Sequence, residues 1–333
     1  MQNFEQCPSP LGPSPLALAA PIDCALEARR IETFLVETTV HRLKRRGLVV
    51  GVSGGLDSAV CATLAARAVG RERVLALLMP EIESSPAGTE RAQRLCDGLG
   101  IRFVIEDITG SLEAIGCYRR RDDAIRRLYP SYGPGWRHKI VISGSGDGRL
   151  PSFDIVVEDR DGNRSSLRMP TDIYLMVVAA TNFKQRLRKS VEYHHAESLN
   201  YAVLGTPNRL EYELGFFVRG GDGLADLKPI AHLFKTQVFA MARYLGVAEE
   251  IIGQTPTTDT YSLPQTQEEF YFTLPFDKAD RLLDAMTRGI APDEAGPALG
   301  LTDRQARNFY RDFTGKRRVA VRNSGDAFTL AAS

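Results

Sequence analysis

Short apolar runs alternate with segments of helical spacing over the first third of the chain. The runs at 48–52, 73–80 and 101–108 are continuous, as is typical of strands buried in a parallel sheet. The segments 57–70 and 89–99 have apolar residues at helical spacing, and a glycine stands at or just after the end of each. This alternation of strand and helix predicts an α/β fold with a doubly wound parallel sheet.

The same alternation returns in the second half of the chain. We expect a long helix near 172–199, a strand at 201–205 and a further helix over 234–246. The tail from 276 to 318 has helical spacing, and so does the segment 23–46 near the start. The chain is therefore predicted to form a parallel sheet with flanking helices and a helical C-terminal tail.

The alternation is interrupted between about residues 118 and 170. Within 129–170, apolar and polar residues alternate with a period of two, and an Asp-Gly pair marks a tight turn. These features predict one or two β-hairpins. We interpret 118–170 as an inserted lid or interface segment whose hairpin region, 129–165, lies outside the central sheet.

The pattern divides the chain into three parts. Residues 1–22 are rich in proline and lack a periodic pattern, so a flexible N-terminal arm is expected. Residues 23–320 are predicted to form the α/β domain together with its insertion. Residues 321–333 are left as a short C-terminal tail.

Composition and charge are those of an ordinary globular protein. The 333 residues are 43% hydrophobic and 25% charged with a formal net charge of +1, so no overall basic field favours nucleic acid or a membrane surface. A helix-turn-helix interpretation of the helical segment 276–318 is disfavoured for the same reason. The sequence lacks a run of about 18 apolar residues and a convincing signal peptide, so a cytoplasmic protein is expected.

The five cysteines do not form a recognisable site. They include no CxxC pair, so neither a disulfide framework nor a zinc site is expected. Cys61 and Cys96 fall on apolar faces and are predicted to be core residues. Cys117, which lies close to several arginines, is the cysteine whose burial the pattern supports least.

The segment 49–60, VVGVSGGLDSAV, carries the clearest chemical signal. A glycine-rich turn from strand to helix presents backbone N–H groups to an anion, and Gly54 and Gly55 let a phosphate approach closely. Asp57 would repel a phosphate unless a divalent cation lay between them, so its presence implies Mg²⁺. The motif lacks the lysine of a Walker A loop. The alternative is an ordinary turn in which Asp57 only favours the helix dipole.

This SGGLDS loop resembles the pyrophosphate-binding loop of the N-type ATP pyrophosphatases. That superfamily includes NAD synthases, GMP synthases, asparagine synthases and several tRNA-modifying ligases. Its members cleave ATP between the α and β phosphates, leave AMP on the substrate and release pyrophosphate. The loop alone therefore implies adenylation of a substrate without identifying the acid.

Four further blocks resemble the NAD synthase family. The block 203–238 contains the family's order of Gly-Thr, Glu, an aromatic step, Gly-Asp-Gly, Asp and Lys. The other three are NFKQRLRKS at 182–190, TPTTD at 255–259 and GKRR at 315–318. The resemblance covers roughly residues 25–117 and 172–320. It implies the adenine nucleotide alpha hydrolase-like form of the α/β fold.

The resemblance implies roles for individual residues. Asp57 and Glu211 match the family's Mg²⁺ ligands, and with Lys235 they match its catalytic residues. The matching ATP contacts are Gly51, Val52, Ser53, Gly54, Gly55, Leu56, Asp57, Ser58, Thr206, Lys235 and Thr257. The matching contacts to the deamidated dinucleotide are Arg186, Arg219, Asp226 and Lys316.

The chemistry of these residues suits those roles independently. Two separated carboxylates can hold one Mg²⁺ between phosphates, a lysine can neutralise charge that develops on phosphates, and arginines grip phosphate through two hydrogen bonds. Each role has an alternative. Glu211 would be structural if it only paired with Arg209 or Arg219, and Lys235 if it were a solvated helix residue.

Several positions depart from the family pattern. Arg219 stands where the family usually has lysine, and Gly315 where many members have histidine. The segment 265–276, QTQEEFYFTLPF, lacks the usual acidic pair, and 118–170 is longer than the family's substrate-lid region. These departures lie on the substrate side, so they put the identity of the acid in doubt more than the type of reaction.

The resemblance implies an ATP- and Mg²⁺-dependent amide ligase. The expected reaction adenylates the carboxylate of nicotinic acid adenine dinucleotide and transfers ammonia to give NAD, AMP and pyrophosphate. The alternatives are a related ligase for another carboxylic acid and a catalytically silent dinucleotide-binding protein. The roughly fifty residues before the loop are too few for a glutaminase domain, so ammonia is expected to be free or supplied by a separate amidotransferase. A homodimer is implied by the family.

Overall fold

A six-stranded parallel sheet forms the centre of the computed structural model, which describes residues 21–143, 152–256, 260–323 and 328–329. The strands of the chain are β1 (Leu48–Gly51), β2 (Val74–Leu78), β3 (Arg102–Ile105), β4 (Arg137–Ser143), β5 (Ser152–Glu158), β6 (Arg164–Arg168), β7 (Ala202–Leu204), β8 (Leu227–Lys228) and β9 (Phe328–Thr329). The central sheet has the order β3-β2-β1-β7-β8-β9, and β4-β5-β6 form a separate sheet. The predicted doubly wound parallel sheet is therefore confirmed.

Some of the helices cover both faces of the central sheet, and others pack on the antiparallel sheet or form a C-terminal layer. The helices are α1 (Cys24–Val36), α2 (Leu56–Val69), α3 (Pro86–Leu99), α4 (Thr109–Ala114), α5 (Cys117–Arg126), α6 (Thr171–Thr181), α7 (Phe183–Leu199), α8 (Arg209–Leu214), α9 (Lys235–Tyr244), α10 (Glu249–Ile252), α11 (Phe276–Thr287), α12 (Pro292–Ala298) and α13 (Asp303–Asn323). Leu48 and Val50 pack in a core with α1, α2 and α9. Val49 and Leu75 pack in a second core with α7. Burial on both faces explains why the strands read as continuous apolar runs.

Two predicted helix boundaries are wrong. The long helix expected near 172–199 is divided into α6 and α7, which meet at Asn182. Helix α3 begins at Pro86 rather than at Thr89, and Ser85 is its N-cap. Proline is favourable at the first helical position because its φ is already helical and its missing N–H has no partner to lose there.

The predicted hairpin region forms the three-stranded antiparallel sheet β4-β5-β6, outside the central sheet. One face of this sheet packs on α5 and α6 through a core that includes Ile140, Ile155 and Val157. The turn between β5 and β6 contains Gly162 at a φ of 82°, a conformation that glycine adopts without strain. The prediction of a separate β-hairpin insertion is thus confirmed.

The C-terminal helices form a further layer beside the sheet. Helices α11 and α13 pack on α8 through a core that contains Phe272, Leu282 and Phe313. The basic segment 315–318 lies within α13. Cys61 and Cys96 are buried, as predicted. Cys117, whose burial the sequence pattern supports least, is buried as well. In the described parts of the chain, no helix is long and apolar enough to cross a membrane.

Candidate active site

A large cavity opens at the carboxyl ends of β1 and β7. Its volume is about 1700 Å³, and the loop 51–58 after β1 and the segment 205–207 after β7 both line it. The strand order reverses between these two strands, because β2 lies on one side of β1 and β7 on the other. Ligands of open α/β sheets bind at such a switch point.

The SGGLDS loop is shaped for an anion. Gly54 has a φ of 80°, and a Cβ at this position would lie 2.2 Å from the Gly88 carbonyl oxygen, so only glycine fits. Gly55 is the N-cap of α2 and makes no side-chain capping hydrogen bond. Ser58 Oγ donates to the Gly55 carbonyl at 2.9 Å and tightens the turn. The N-terminus of α2 therefore faces the cavity with backbone donors available to a phosphate.

Asp57, Lys235 and Glu211 form a buried charged cluster on the cavity wall. The Lys235 ammonium donates to Asp57 Oδ2, and the lysine side chain is fully buried. Burial alone would lower the pKa of Lys235, but the carboxylates of Asp57 and Glu211 outweigh it and raise that pKa. The alternative that Lys235 is a solvated helix residue is therefore wrong.

The Glu211 carboxylate is fixed from both sides. Its Oε2 accepts from the Asn208 backbone N–H at 3.0 Å, and its Oε1 accepts from Gln267 Nε2 at 3.0 Å. Burial, followed by the nearby Asp57 carboxylate, raises the pKa of Glu211 to about 8. Arg209 pairs with Glu213 at 2.6 Å. The alternative in which Glu211 pairs with Arg209 is therefore wrong.

The donor set of this cluster fits Mg²⁺. When Glu211 is ionised, two carboxylates face one ammonium, and a cation bound there would balance the surplus negative charge. Among the residues that the structure describes, no group of three or more His, Cys, Asp or Glu side chains is placed to hold a metal by itself. Mg²⁺ commonly takes only one or two carboxylates and completes its shell with water and substrate phosphates.

Asn208, Gln267 and Asp280 belong to this centre and were missed by sequence reasoning. Asn208 Nδ2 donates to Asp57 Oδ1 at 3.3 Å, and Asp280 accepts the backbone N–H groups of Lys235 and Thr236 at 3.2 and 2.8 Å. A local signal existed only for Asn208, because Asn and Glu three residues apart mark a helix N-terminus.

The structure places most of the other predicted residues on the cavity wall. Those that line it are Gly51, Val52, Ser53, Gly54, Gly55, Leu56, Ser58, Thr206 and Lys316. Lys316 Nζ is held by the Tyr271 carbonyl and Asp312 Oδ2, both at 2.7 Å. Thr257 lies outside the described residues.

Three residues that are predicted to contact the dinucleotide, Arg186, Arg219 and Asp226, are not among those that line this cavity. Arg186 Nε donates to the Arg219 carbonyl oxygen at 3.2 Å. Asp226 accepts the Val203 backbone N–H at 2.8 Å and the Tyr193 hydroxyl at 3.3 Å, so it supports the strand β7. Nearby side chains that do line the cavity are Gln185, Arg188, Lys189 and Asp222.

Solved structures with the same fold include two synthetases. The NH3-dependent NAD synthetase of Campylobacter jejuni is 24% identical, with a TM-score of 0.57 over 88% of this chain and 94% of that one. The NMN synthetase of Francisella tularensis is 21% identical, with a TM-score of 0.62 over 93% of this chain and 100% of that one. At these identities the likeness concerns the fold alone.

Sequence comparison gives closer relatives. The NH3-dependent NAD+ synthetase of Rhizobium rhizogenes is 50% identical over 318 residues, which are 93% of this chain and 96% of that protein. The enzyme of the same name from Rhizobium meliloti is 52% identical over 300 residues, 90% of this chain and 89% of that protein. The family model described as NAD synthase matches residues 27–126 and 165–317. The chain belongs to the NAD synthase family.

Proposed function

We propose that the protein catalyses the ATP-dependent amidation of nicotinic acid adenine dinucleotide (deamido-NAD) with ammonia, giving NAD, AMP and pyrophosphate. The observation that carries this proposal is the buried cluster of Asp57, Glu211 and Lys235 beside an anion-binding helix terminus. Relatives of about 50% identity that are named NH3-dependent NAD+ synthetases support the same reaction. A catalytically silent protein would not need to retain this arrangement of opposed charges.

In the first step, a carboxylate oxygen of the acid attacks the α-phosphorus of ATP. The bond between the α-phosphorus and the bridging oxygen breaks, and pyrophosphate leaves with its electron pair. The backbone donors of 53–58 and the N-terminus of α2 hold the phosphates, and Lys235 neutralises charge that develops on the leaving group. Mg²⁺, which Asp57 and Glu211 would hold, supplies further neutralisation of phosphate charge when bound.

In the second step, neutral ammonia attacks the acyl carbon of the mixed anhydride. The bond from that carbon to the AMP oxygen breaks, and AMP leaves with its electron pair. The nitrogen loses a proton to water to give the amide. The name of the relatives supports free ammonia as the nitrogen source. Delivery by a separate amidotransferase remains compatible with the same chemistry.

A second candidate is amidation of a different carboxylic acid. It is favoured by the antiparallel sheet β4-β5-β6, called here the inserted sheet. The family model does not match residues 127–164, and this segment contributes to the cavity wall. We also propose that the protein is a cytoplasmic homodimer, as the family resemblance implies. Light scattering of the purified protein tests the dimer.

Pyrophosphate release from the purified protein, measured with a panel of acids, tests the function. We expect release with ATP, Mg²⁺ and deamido-NAD, and formation of NAD when ammonium is added. Nicotinic acid mononucleotide, nicotinic acid and aspartate serve as competing acids. If pyrophosphate appears only with one of these, the second candidate replaces the first.

A further inference from the structure

The cavity is larger than a single ligand requires. Its volume is about 1700 Å³, whereas a site for one drug-sized ligand commonly takes about 300 to 1,000 Å³. The SGGLDS loop accounts for the end that binds the phosphates of ATP. The other walls are therefore available to the second substrate, and the inserted sheet builds one of them.

The inserted sheet reaches the cavity through a cross-strand pair of apolar residues. Ile142 on β4 and Phe153 on β5 are directly opposite one another, and both line the cavity. The Phe153 ring is stacked on the Tyr174 ring of α6, with centroids 3.9 Å apart and an angle of 14° between the planes. Both rings are only partly buried, so the pair presents aromatic surface to the cavity.

The position of this wall is fixed by the segment 261–265, which also lines the cavity. The Leu263 backbone N–H donates to the His138 carbonyl oxygen at 3.0 Å, and the Gln265 side-chain amide donates to the Ile140 carbonyl oxygen. The segment therefore extends the hydrogen bonding of β4 beyond the sheet. An aromatic surface that is held in this way is formed before a ligand arrives, which lowers the entropic cost of binding.

We propose that the Phe153–Tyr174 pair is a stacking subsite for a heteroaromatic ring of the acid substrate, an inference that rests on the proposed function. The apolar faces of the two rings suit a flat ring and carry no charge or hydrogen-bond donor for a phosphate. Val178 and Phe270, in the same hydrophobic cluster, add apolar surface. The family model does not match residues 127–164, which include Phe153, whereas Tyr174 lies within the matched residues 165–317.

Arg137, a charged residue of the inserted sheet at the cavity wall, is already neutralised. Arg137, at the start of β4, lines the cavity, and its guanidinium is paired with Glu158. Glu158 also accepts from Arg164 Nε at 2.6 Å. A phosphate at this wall would have to break an ion pair, whereas a ring would leave it intact.

Leucine substitutions test the subsite because leucine keeps apolar volume but removes the ring. Calorimetric titration of deamido-NAD into the full-length protein, together with KM values for deamido-NAD and ATP, gives the readout. We expect Phe153→Leu and Tyr174→Leu to weaken binding of deamido-NAD by about tenfold, the effect expected for the loss of stacking on one ring. The KM for ATP should not change. Phe153→Tyr, which keeps an aromatic ring, should bind deamido-NAD with wild-type affinity.

Two controls separate stacking from folding. Leu167→Ala alters the exposed surface of β6 on the same sheet and should leave all constants at their wild-type values. The emission of Trp136, the single tryptophan of the chain, reports the packing of the inserted segment in each variant. An unchanged emission with weakened binding supports the subsite.

The outcomes distinguish this inference from the proposed function. Nicotinic acid mononucleotide carries the pyridine ring without adenine, so equal weakening for both acids assigns the pyridine ring to the subsite, and weakening for the dinucleotide alone assigns adenine. Wild-type affinity in both leucine variants, or an equal rise in the KM for ATP, overturns the subsite while leaving the function intact. Failure of the wild-type protein to amidate deamido-NAD contradicts the function itself.

Discussion

Asn208 and Glu211 hold each other through two reciprocal hydrogen bonds. The Asn208 backbone N–H donates to Glu211 Oε2 at 3.0 Å, and the Glu211 backbone N–H donates to Asn208 Oδ1 at 3.2 Å. This capping box begins the short helix α8 and also aims the Glu211 carboxylate at the charged cluster. The same residues thus serve the local stability of a helix and the geometry of the proposed metal site.

Removing the charge of Asp57 should nearly abolish turnover. Asp57→Asn removes a carboxylate that pairs with Lys235 and that we propose as a Mg²⁺ ligand. Loss of such a charge contact commonly costs about 3 kcal/mol, or roughly a hundredfold in rate. Steady-state pyrophosphate release is the measurement, and the exposed Asp97→Asn is the control. Normal release from Asp57→Asn would contradict the assignment.

Two substitutions of Asn208 should separate its structural and catalytic roles. Asn208→Ser keeps an N-cap side chain but is too short to reach Asp57, so we expect near-normal thermal stability with reduced kcat. Asn208→Ala loses both contacts and should also lower the free energy of unfolding by about 1 kcal/mol. Equal kcat in Asn208→Ser and the wild type would show that the contact with Asp57 is dispensable.

Part of this centre was accessible from sequence and part was not. The loop 51–58 was predicted because strand, glycines and helix are contiguous in the chain. Asn208 and Asp57 are 151 positions apart, and nothing local to either residue indicates that they meet. The family resemblance implies a substrate contact for Asp226, and nothing in the sequence indicates that its Oδ2 also accepts the Val203 backbone N–H of β7.

The same limit applies to the fold. The periodicity predicted the strands and the separate hairpins, because both patterns are local. The division of the helix at Asn182 had no glycine or proline to mark it, and Asn182 itself keeps helical torsion angles, φ −63° and ψ −14°. Which face of the inserted sheet would reach the cavity depends on tertiary packing, so the contact of Phe153 with Tyr174 was not predicted.

Replacing 137–168 with a short Gly/Ser linker should impair handling of the acid more than binding of ATP. The inserted sheet is separate from the central sheet, and the SGGLDS loop lies at the end of β1. We expect a folded protein with wild-type affinity for ATP in calorimetry and a raised KM for deamido-NAD. Global unfolding would instead place the segment in the core, and an unchanged KM would refute its role as a lid.

Lys228 should give the protein a pH-dependent stability. Burial lowers the pKa of this lysine to about 8, and its Nζ donates to the Gly223 carbonyl oxygen at 2.8 Å. Between pH 8 and 10.5 the folded state has lost a proton that the unfolded state keeps, so stability from this group rises with pH. Below pH 8 both states are protonated and the contribution does not vary.

Lys228→Met tests this because other titrating groups cancel in the comparison with the wild type. Urea denaturation at pH 7, 8, 9 and 10 gives the free energy of unfolding of each protein. We expect the stability of the variant relative to the wild type to be constant up to pH 8 and to fall above it. A difference that is independent of pH would show that Lys228 titrates normally.

The rate with ammonium should follow the concentration of neutral ammonia. Only NH₃ has a lone pair for attack on the acyl carbon, so the rate at fixed total ammonium should climb with pH until the enzyme loses activity. Formation of NAD is the measurement, and glutamine replaces ammonium in the control. Robust formation of NAD from glutamine alone, with free ammonia scavenged, would reveal a glutaminase activity that the proposal lacks.

The hydrogen bonds between β4 and the segment 261–265 also bear on how this architecture can be recombined. The residues that these hydrogen bonds join are 124 or 125 positions apart in the chain. Ser262 Oγ nevertheless accepts the His138 backbone N–H at 2.9 Å, and Leu263 pairs with the same residue. A graft of residues 137–168 into a chain without them would leave the edge of β4 bare, and an unpaired strand edge invites association with other molecules. The two segments therefore form one transferable unit, and a chimera should carry both.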